Sequence, residues 1–172
     1  MSGKTYWITG LSGAGEKTIG RLWYTKLRQS GEAAVFLDGD ELRQVFGGSL
    51  GYSLEDRQKM AMNYARLCAL LSGQGLTVIC CTISMFDSVR TWNRENISGY
   101  VEVYIKASME TLRRRNQKGL YSAGAQNVAG IAFPVELPKS PDLVLCNDGD
   151  ESPEDQVAHL SHWHENIKHK GD

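Results

Sequence analysis

The chain has no hydrophobic run long enough to cross a membrane. Its first apolar stretch, residues 6–8, leads almost directly into a glycine-rich segment that starts at residue 10. A membrane-spanning helix needs roughly 20 consecutive apolar residues, and a signal peptide needs an apolar run of roughly 7–15 residues before its cleavage site. We therefore expect a cytoplasmic protein that has no membrane partner.

An excess of either charge is also lacking. The 19 Lys and Arg residues stand against 20 Asp and Glu residues, so the formal net charge is −1, and the two signs are interspersed along the chain. Proteins that bind nucleic acids usually concentrate basic residues on one surface. The balance of charges predicts that nucleic acid is not a partner.

Cysteine is scarce and follows no metal-binding pattern. The four cysteines, Cys68, Cys80, Cys81 and Cys146, form no CxxC pair. Structural zinc sites and redox pairs usually require such spacing. We therefore expect reduced core cysteines rather than a metal or redox centre.

Short apolar segments alternate with longer helical patterns along the chain. This alternation predicts a parallel sheet with helices on both faces. With 172 residues, 41% of them hydrophobic, the chain is expected to form one domain, residues 1–172, of the three-layer α/β class. Ser53 and Ser152 are predicted to cap the N-termini of two helices. The predicted strands, about five in number, are residues 6–9, 34–37, 77–83, 101–105 and 143–146, with 77–83 as a central strand.

A glycine-rich loop follows the first predicted strand and precedes a predicted helix. In this position, backbone N–H groups and a helix N-terminus can hold the phosphates of a nucleotide. The sequence therefore predicts a P-loop nucleoside triphosphate hydrolase or kinase fold in which the loop binds ATP. The loop residues are Gly10, Leu11, Ser12, Gly13, Ala14 and Gly15.

The residues after this loop differ from the usual P-loop pattern. A P-loop ordinarily continues with Lys, which reaches the β- and γ-phosphates, and then with Ser or Thr, which ligates Mg²⁺. This chain has Glu16, Lys17 and Thr18 instead. In one interpretation Glu16 repels the triphosphate and the protein is an impaired kinase. In the other, Glu16 is a one-residue bulge, so that Lys17 supplies the catalytic phosphate contact and Thr18 the Mg²⁺ ligand.

Two carboxylates follow the second predicted strand. Asp38 and Asp40 lie where open α/β folds bind ligands, at the carboxyl ends of parallel strands. Phosphoryl transfer to a hydroxyl needs a carboxylate that orients or deprotonates the acceptor and helps to hold Mg²⁺. Asp38 and Asp40 are therefore the predicted catalytic residues, and Asp38 is also a predicted metal ligand. Asp40 as a helix N-cap is an alternative that does not exclude catalysis.

Four motifs together resemble the adenylylsulfate kinase family. They are GLSGAG at residues 10–15, LDGDELR at 37–43, GYSLEDR at 51–57 and RNQKGLY at 115–121. The resemblance implies a kinase that uses ATP and Mg²⁺ to phosphorylate the ribose 3′-hydroxyl of a small nucleotide. It also implies roles for individual residues: Asp38 and Asp40 at the reaction centre, Arg43 and Arg57 towards the acceptor, and Arg115 and Lys118 towards ATP and a lid at about 118–141.

The departures from the family pattern lie on the acceptor side. Met60, Asp87 and Val128 stand where relatives that use adenylylsulfate usually have Asn, Arg and Phe, so an anionic group is expected to be disfavoured near Asp87. Residues 84–97 and 127–145 are more similar to the branch found in bacterial capsule biosynthesis, which implies a cytidine nucleotide such as cytidine diphosphoramidate as acceptor. The predicted acceptor contacts are Asp40, Arg43, Arg57, Ile83, Ser84, Met85, Lys118, Leu120 and Val128.

Three functions stay open from the sequence. The favoured one is a cytidine-nucleotide kinase that acts in capsule polysaccharide modification. The others are an adenylylsulfate kinase of sulfate assimilation and a nucleotide-binding protein impaired by Glu16 and Lys17. A small nucleotide is the expected partner in each case, and a homodimer also stays open.

Overall fold

The computed structural model describes residues 2–115, 119 and 134–168. Within these residues the chain forms five β-strands and six α-helices, mostly in alternation. The strands are β1 (Thr5–Thr9), β2 (Ala34–Asp38), β3 (Thr77–Cys81), β4 (Tyr100–Lys106) and β5 (Leu143–Cys146). The helices are α1 (Glu16–Gln29), α2 (Gly39–Val45), α3 (Leu54–Gly73), α4 (Asp87–Asn96), α5 (Met109–Arg115) and α6 (Pro153–Lys168).

The five strands form one parallel sheet in the order β2-β3-β1-β4-β5. In its register, Tyr6 of β1 lies between Ile79 of β3 and Val101 of β4. The outer pairs, β2 with β3 and β4 with β5, are also parallel. All carboxyl ends therefore meet at the same edge of the sheet, where ligands of such folds bind. The predicted α/β fold with about five parallel strands is confirmed.

Strand β3 is a central strand as predicted, but it is shorter than its prediction. It lies between β2 and β1 in the sheet. It ends at Cys81 rather than at residue 83, although the Thr82 N–H still donates to the Ile8 carbonyl at 3.1 Å. The Thr9 hydroxyl donates to the Ile83 carbonyl at 2.9 Å, and the hydroxyls of Thr82 and Ser84 are 2.6 Å apart. These bonds hold the residues after β3 at the ligand-binding edge.

Helices cover both faces of the sheet. Along β1, Tyr6 and Ile8 belong to a hydrophobic cluster with α1, α5 and α6, whereas Trp7 belongs to a second cluster with α3 and α4. All three side chains are fully buried. Burial on both faces explains why the inner strands are almost continuously apolar.

Two serines cap helices as predicted. Ser53 accepts a hydrogen bond from the Asp56 N–H at 3.1 Å at the start of α3. At the start of α6, the Ser152 hydroxyl accepts from the Asp155 N–H, and the Asp155 carboxylate accepts from the Ser152 N–H, each at 3.1 Å. A cap of this kind stabilises a helix by about 1 kcal/mol. The two serines therefore fix where α3 and α6 begin.

The cysteines are not all buried. Cys68, Cys80 and Cys81 are buried as expected, but Cys146 is exposed because it ends the edge strand β5. Within the described residues, no three or more His, Cys, Asp or Glu side chains are arranged to hold a metal ion. In the same part of the chain, no helix has the length and apolarity that crossing a membrane requires.

Candidate active site

The loop between β1 and α1 requires glycine at several positions. Gly13 and Gly15 have φ values of 85° and 104°, which side-chain-bearing residues rarely adopt. A side chain at Gly10 would come within 2.6 Å of the Ile105 carbonyl oxygen, and one at Gly15 within 2.5 Å of Asn147 Nδ2. The loop can therefore wrap closely around the N-terminus of α1, the arrangement that binds phosphates in P-loop proteins.

Glu16 is the first residue of α1 and occupies the position of the P-loop lysine. The Ile19 N–H donates to the Gly15 carbonyl at 3.0 Å, so helical bonding begins directly after the loop. Regular helical bonding therefore starts at Glu16, and the assignment of the usual phosphate and Mg²⁺ contacts to Lys17 and Thr18 stays a prediction. Lys17 and Thr18 are consequently the second and third residues of the helix.

The Glu16 carboxylate is enclosed by the loop. The residue is only 8% exposed, although it lines the cavity described below. Burial raises the pKa of Glu16 to about 7, and hydrogen bonds from the Glu16 and Gly15 N–H groups, together with the charge of Lys17, offset part of that increase. The carboxylate therefore lies beside the glycine loop, where the phosphates of a nucleotide would approach.

Lys17 bridges the two predicted catalytic carboxylates. Its Nζ lies 3.1 Å from Asp38 Oδ2 and 2.5 Å from Asp40 Oδ2. Partial burial lowers the pKa of Lys17, but the hydrogen bonds to Asp40 and Asp38 raise it above the usual value. Asp38 is also the N-cap of α2, since its Oδ1 accepts from the Asp40 N–H at 2.9 Å. The cap is thus Asp38, and the alternative that assigned this role to Asp40 is wrong.

One cavity of about 400 Å³ joins the loop to the acids and to the predicted acceptor contacts. The predicted residues that line it are Ser12, Gly13, Gly15, Glu16, Lys17, Thr18, Asp38, Asp40, Arg43, Arg57, Ile83, Ser84 and Met85. Gly10 and Ala14 support the loop from behind, and Ala14 is fully buried. Lys118, Leu120 and Val128 lie outside the described residues. The cavity lining that sequence reasoning did not assign includes Tyr52, Tyr64, Phe86, Pro134 and Val135.

Arg43 and Arg57 both pack against Tyr52. Their guanidinium carbons lie 4.3 Å and 5.4 Å from the centroid of its ring. Arg43 Nη1 donates to the Gly51 carbonyl at 3.0 Å, and Arg57 Nε donates to the Tyr52 carbonyl at 3.0 Å. Cation–π contacts of this kind hold a guanidinium group in a defined position. Tyr52 lies inside the GYSLEDR motif, which was the available sequence signal for its place in the site.

Arg115 and Asn147 hold the loop from the side of β5. Arg115 donates to the carbonyl oxygens of Gly13 at 3.2 Å and Asn147 at 2.8 Å. Asn147 Nδ2 in turn donates to the Ala14 carbonyl at 2.7 Å. A second, open cavity on this side is lined by Gly13, Thr18, Arg115, Asn147 and residues 149–153. Arg115 therefore contacts the loop, and its role towards ATP stays a prediction, whereas the contribution of Asn147 was missed.

Asp87 contacts other charged side chains instead of facing the acceptor region. Lys139 Nζ lies 2.9 Å from its Oδ2, and Arg90 Nη2 lies 2.5 Å from its Oδ1. The hydrogen bonds from Lys139 and Arg90 lower the pKa of Asp87 to about 2. Among the described residues, Asp87 is not part of the cavity lining. The expectation that this carboxylate would repel an anionic acceptor group directly is therefore not supported by its contacts.

The parallel sheet, the glycine loop after β1 and the paired carboxylates where β2 meets α2 define a P-loop kinase. The family model for adenylylsulphate kinase matches residues 2–146. The chain therefore belongs to the adenylylsulfate kinase family, and this membership identifies it as a nucleotide kinase.

Similar proteins carry two different names. A cytidine diphosphoramidate kinase of Campylobacter jejuni is 38% identical over 155 residues, which cover 88% of this chain and 90% of that protein. An adenylyl-sulfate kinase of Paraburkholderia xenovorans is 36% identical over 166 residues, which cover 92% of this chain and 93% of that protein. A solved structure of an adenylylsulfate kinase of Mycobacterium tuberculosis, in complex with AMPPNP and adenylylsulfate, matches with a TM-score of 0.87 and 32% sequence identity. The match covers 95% of this chain and 98% of the solved chain.

Proposed function

We propose that this protein transfers the γ-phosphoryl group of ATP to the ribose 3′-hydroxyl of a small cytidine nucleotide, such as cytidine diphosphoramidate. The observation that carries the proposal is the single cavity in which the glycine loop, two carboxylates and two arginines meet. The similarity to a cytidine diphosphoramidate kinase supports the choice of acceptor. The AMPPNP complex of the Mycobacterium tuberculosis relative supports ATP as the donor.

The two carboxylates have different surroundings, which suggests different roles. The Asp38 side chain is 9% exposed and already caps α2, whereas the Asp40 side chain is 72% exposed. Asp40 accepts the proton of the acceptor 3′-hydroxyl as the new O–P bond forms and the bond from the γ-phosphorus to the ADP oxygen breaks. Lys17 holds both carboxylates in place through its two ion pairs.

Mg²⁺ prefers oxygen ligands and usually binds one or two carboxylates together with water and substrate phosphates. Asp38 and Thr18 offer a carboxylate and a hydroxyl at the cavity, so these residues fit the ion. When bound, Mg²⁺ would supply neutralisation of the phosphate charge. Lys17 contributes a further fixed positive charge beside Asp38.

On the acceptor side, Arg43 and Arg57 supply the positive charge for the phosphoryl groups of a nucleotide. Their packing on Tyr52 fixes two guanidinium groups before the ligand arrives, which reduces the entropy lost on binding. The walls beside them are apolar and include Met60, Met85 and Phe86. An apolar wall with a few convergent charged groups is typical of a small-molecule site.

A second candidate function follows from Glu16. Its buried carboxylate lines the cavity beside the loop and would oppose a triphosphate. The protein would then bind the acceptor nucleotide but transfer phosphate slowly or not at all.

The test is ³¹P NMR of the purified protein with Mg-ATP and, in separate tubes, cytidine diphosphoramidate, adenylylsulfate and plain cytidine nucleotides. We expect a new 3′-phosphomonoester signal with cytidine diphosphoramidate and none with the Asp40→Asn variant. A signal only with adenylylsulfate would reassign the acceptor. Transfer by a Glu16→Lys, Lys17→Thr double variant but not by the natural sequence would favour the impaired kinase, and silence from both proteins in every tube would refute the proposed reaction.

A further inference from the structure

A cluster of charged side chains fastens the start of α4 to residues 134–142, the segment that leads into β5. Arg90 is only 5% exposed, and its Nη2 donates both to Asp87 Oδ1 and to the carbonyl oxygen of Glu136. The other Asp87 oxygen, Oδ2, lies 2.9 Å from Lys139 Nζ. Asp87 thus connects a buried arginine of α4 with a lysine of the 134–142 segment.

The far end of this segment is fastened to the same helix. Arg94 Nη2 donates to the Ser140 carbonyl at 2.9 Å, and Arg94 Nη1 donates to Asp142 Oδ2 at 3.3 Å. The Glu102 N–H also donates to Asp142 Oδ2, at 2.7 Å. These bonds anchor the segment to β4 as well as to α4, so Asp87 and Arg90 set the position of its first part.

The first part of the segment forms a wall of the cavity. Pro134 and Val135 line the cavity together with Met85, which lies between β3 and α4. The Glu136 N–H donates to the Met85 carbonyl at 3.2 Å and so joins the two stretches of wall. The Arg90 bond to the Glu136 carbonyl acts on the same residue. A shift of Glu136 would therefore move both sides of this wall.

We propose that Asp87 is a positioning residue that sets acceptor affinity, because it holds Arg90 and Lys139 against the wall formed by Met85, Pro134 and Val135. The inference rests on the proposed function, in which this cavity binds the acceptor nucleotide. A buried guanidinium needs a counter-charge to stay in place. One oxygen of the Asp87 carboxylate accepts from Arg90, and the other holds Lys139. A neutral amide has only one acceptor oxygen, so it cannot hold both cations in this way.

The experiment compares Asp87→Asn, Asp87→Glu and the control Glu55→Gln by hydrogen exchange and by calorimetry. The control removes a carboxylate from an exposed ion pair with Lys59 on α3. Calorimetry uses cytidine diphosphate as the acceptor-side probe and AMPPNP with Mg²⁺ as the donor-side probe. Exchange is followed at the Glu136 amide and, as a reference inside the sheet, at the Val78 amide, which donates to the Lys4 carbonyl.

We expect Asp87→Asn to weaken cytidine diphosphate binding about tenfold, as loss of support behind a binding wall does, while AMPPNP binding changes less than about twofold. The Glu136 amide should exchange faster and the Val78 amide should not. Asp87→Glu should restore most of both properties, and Glu55→Gln should behave as the natural sequence does.

Three results would overturn the inference. One is an unchanged cytidine diphosphate affinity in Asp87→Asn. The second is unchanged exchange at Glu136 in that variant, and the third is equal acceleration at Glu136 and Val78, which would mean a general loss of stability. Absence of phosphoryl transfer in the NMR test would refute the proposed reaction without touching these readouts, so the two failures are distinguishable.

Discussion

At the scale of single residues, Glu16 puts a negative charge where a P-loop kinase has its phosphate-binding lysine. Glu16→Lys together with Lys17→Thr is expected to tighten binding of Mg-AMPPNP by at least about tenfold, measured by calorimetry. A tenfold gain corresponds to about 1.4 kcal/mol, which is below the several kcal/mol that an unfavourable like-charge contact costs in a poorly solvated site. The double substitution also releases Asp38 and Asp40 from the Lys17 ammonium.

The control for this double substitution makes the same residue changes at an exposed site. Glu55 and Lys59 form an ion pair at 2.9 Å on α3, with side chains 76% and 58% exposed. Glu55→Lys with Lys59→Thr changes the net charge equally, and it should leave the AMPPNP affinity unchanged. Equal gains in both double variants would show that overall charge, rather than the loop, controls affinity.

The protonation of Glu16 should also appear in the pH dependence of stability. Burial raises its pKa from an ordinary 4.5 to about 7, so the folded state binds this proton more tightly than the unfolded state. The free energy of unfolding should therefore fall as pH rises from about 4.5 to 7, by up to about 3 kcal/mol. Glu16→Gln removes this loss and should be the more stable protein at pH 8 but not at pH 5.

Urea unfolding of the natural sequence and of Glu16→Gln at pH 5 and pH 8 checks this prediction. Glu55→Gln, which removes an exposed carboxylate, should show no comparable pH-dependent gain. If the difference between the natural sequence and Glu16→Gln were the same at both pH values, the Glu16 carboxylate would not be titrating in this range.

At the scale of elements, the loop before α1 depends on a contact from the end of β5. Asn147 is 8% exposed, and its side chain donates to the Ala14 carbonyl at 2.7 Å. Asn147→Ala would leave that carbonyl without its donor in a buried position. We expect a loss of about 1–3 kcal/mol in the free energy of unfolding, together with weaker AMPPNP binding.

Asn96→Ala is the matched control. Asn96 is exposed at the end of α4, and its Nδ2 donates to the Trp92 carbonyl at 2.8 Å. Its loss should change stability by less than about 0.5 kcal/mol. Chemical denaturation and calorimetry of both variants separate the two cases, and similar losses in both would mean that the Asn147 contact does not support the loop.

The limits of sequence reasoning also differ among elements. The strands were predicted to within two residues at each end, because buried parallel strands are continuous apolar runs. The caps at Ser53 and Ser152 were predictable because capping is local in the chain. The Asn147 contact with Ala14 joins residues 133 positions apart, and the contacts of Asp87 depend on where the 134–142 segment lies. Neither leaves a local pattern.

At the scale of the whole molecule, the candidate site was predictable wherever topology alone brings residues together. Asp38 ends β2 and Ser84 follows the neighbouring strand β3, so a parallel sheet must place them at one edge. Tyr52 and Val135 enter the same cavity from segments outside the sheet. Their positions depend on the packing of α3 and α4, which hydrophobic periodicity does not specify.

The stability of the whole molecule also depends on α6, which lies beyond the residues matched by the family model. Leu160 of α6 is fully buried in the cluster that contains Tyr6, Ile8 and Trp23. Leu160→Ala is expected to lower the free energy of unfolding by about 2–5 kcal/mol, because it removes buried methyl groups and leaves a cavity. Neither described cavity of the site is lined by Leu160, so the AMPPNP affinity of the folded variant should not change.

Leu70→Ala provides the comparison, since Leu70 lies on α3 and is 60% exposed. This second variant should change stability by less than about 0.5 kcal/mol in urea unfolding. A small effect of Leu160→Ala would mean that α6 packs loosely on α1. A large effect with unchanged nucleotide affinity would instead show that α6 stabilises the sheet while the ligand-binding edge works independently of it.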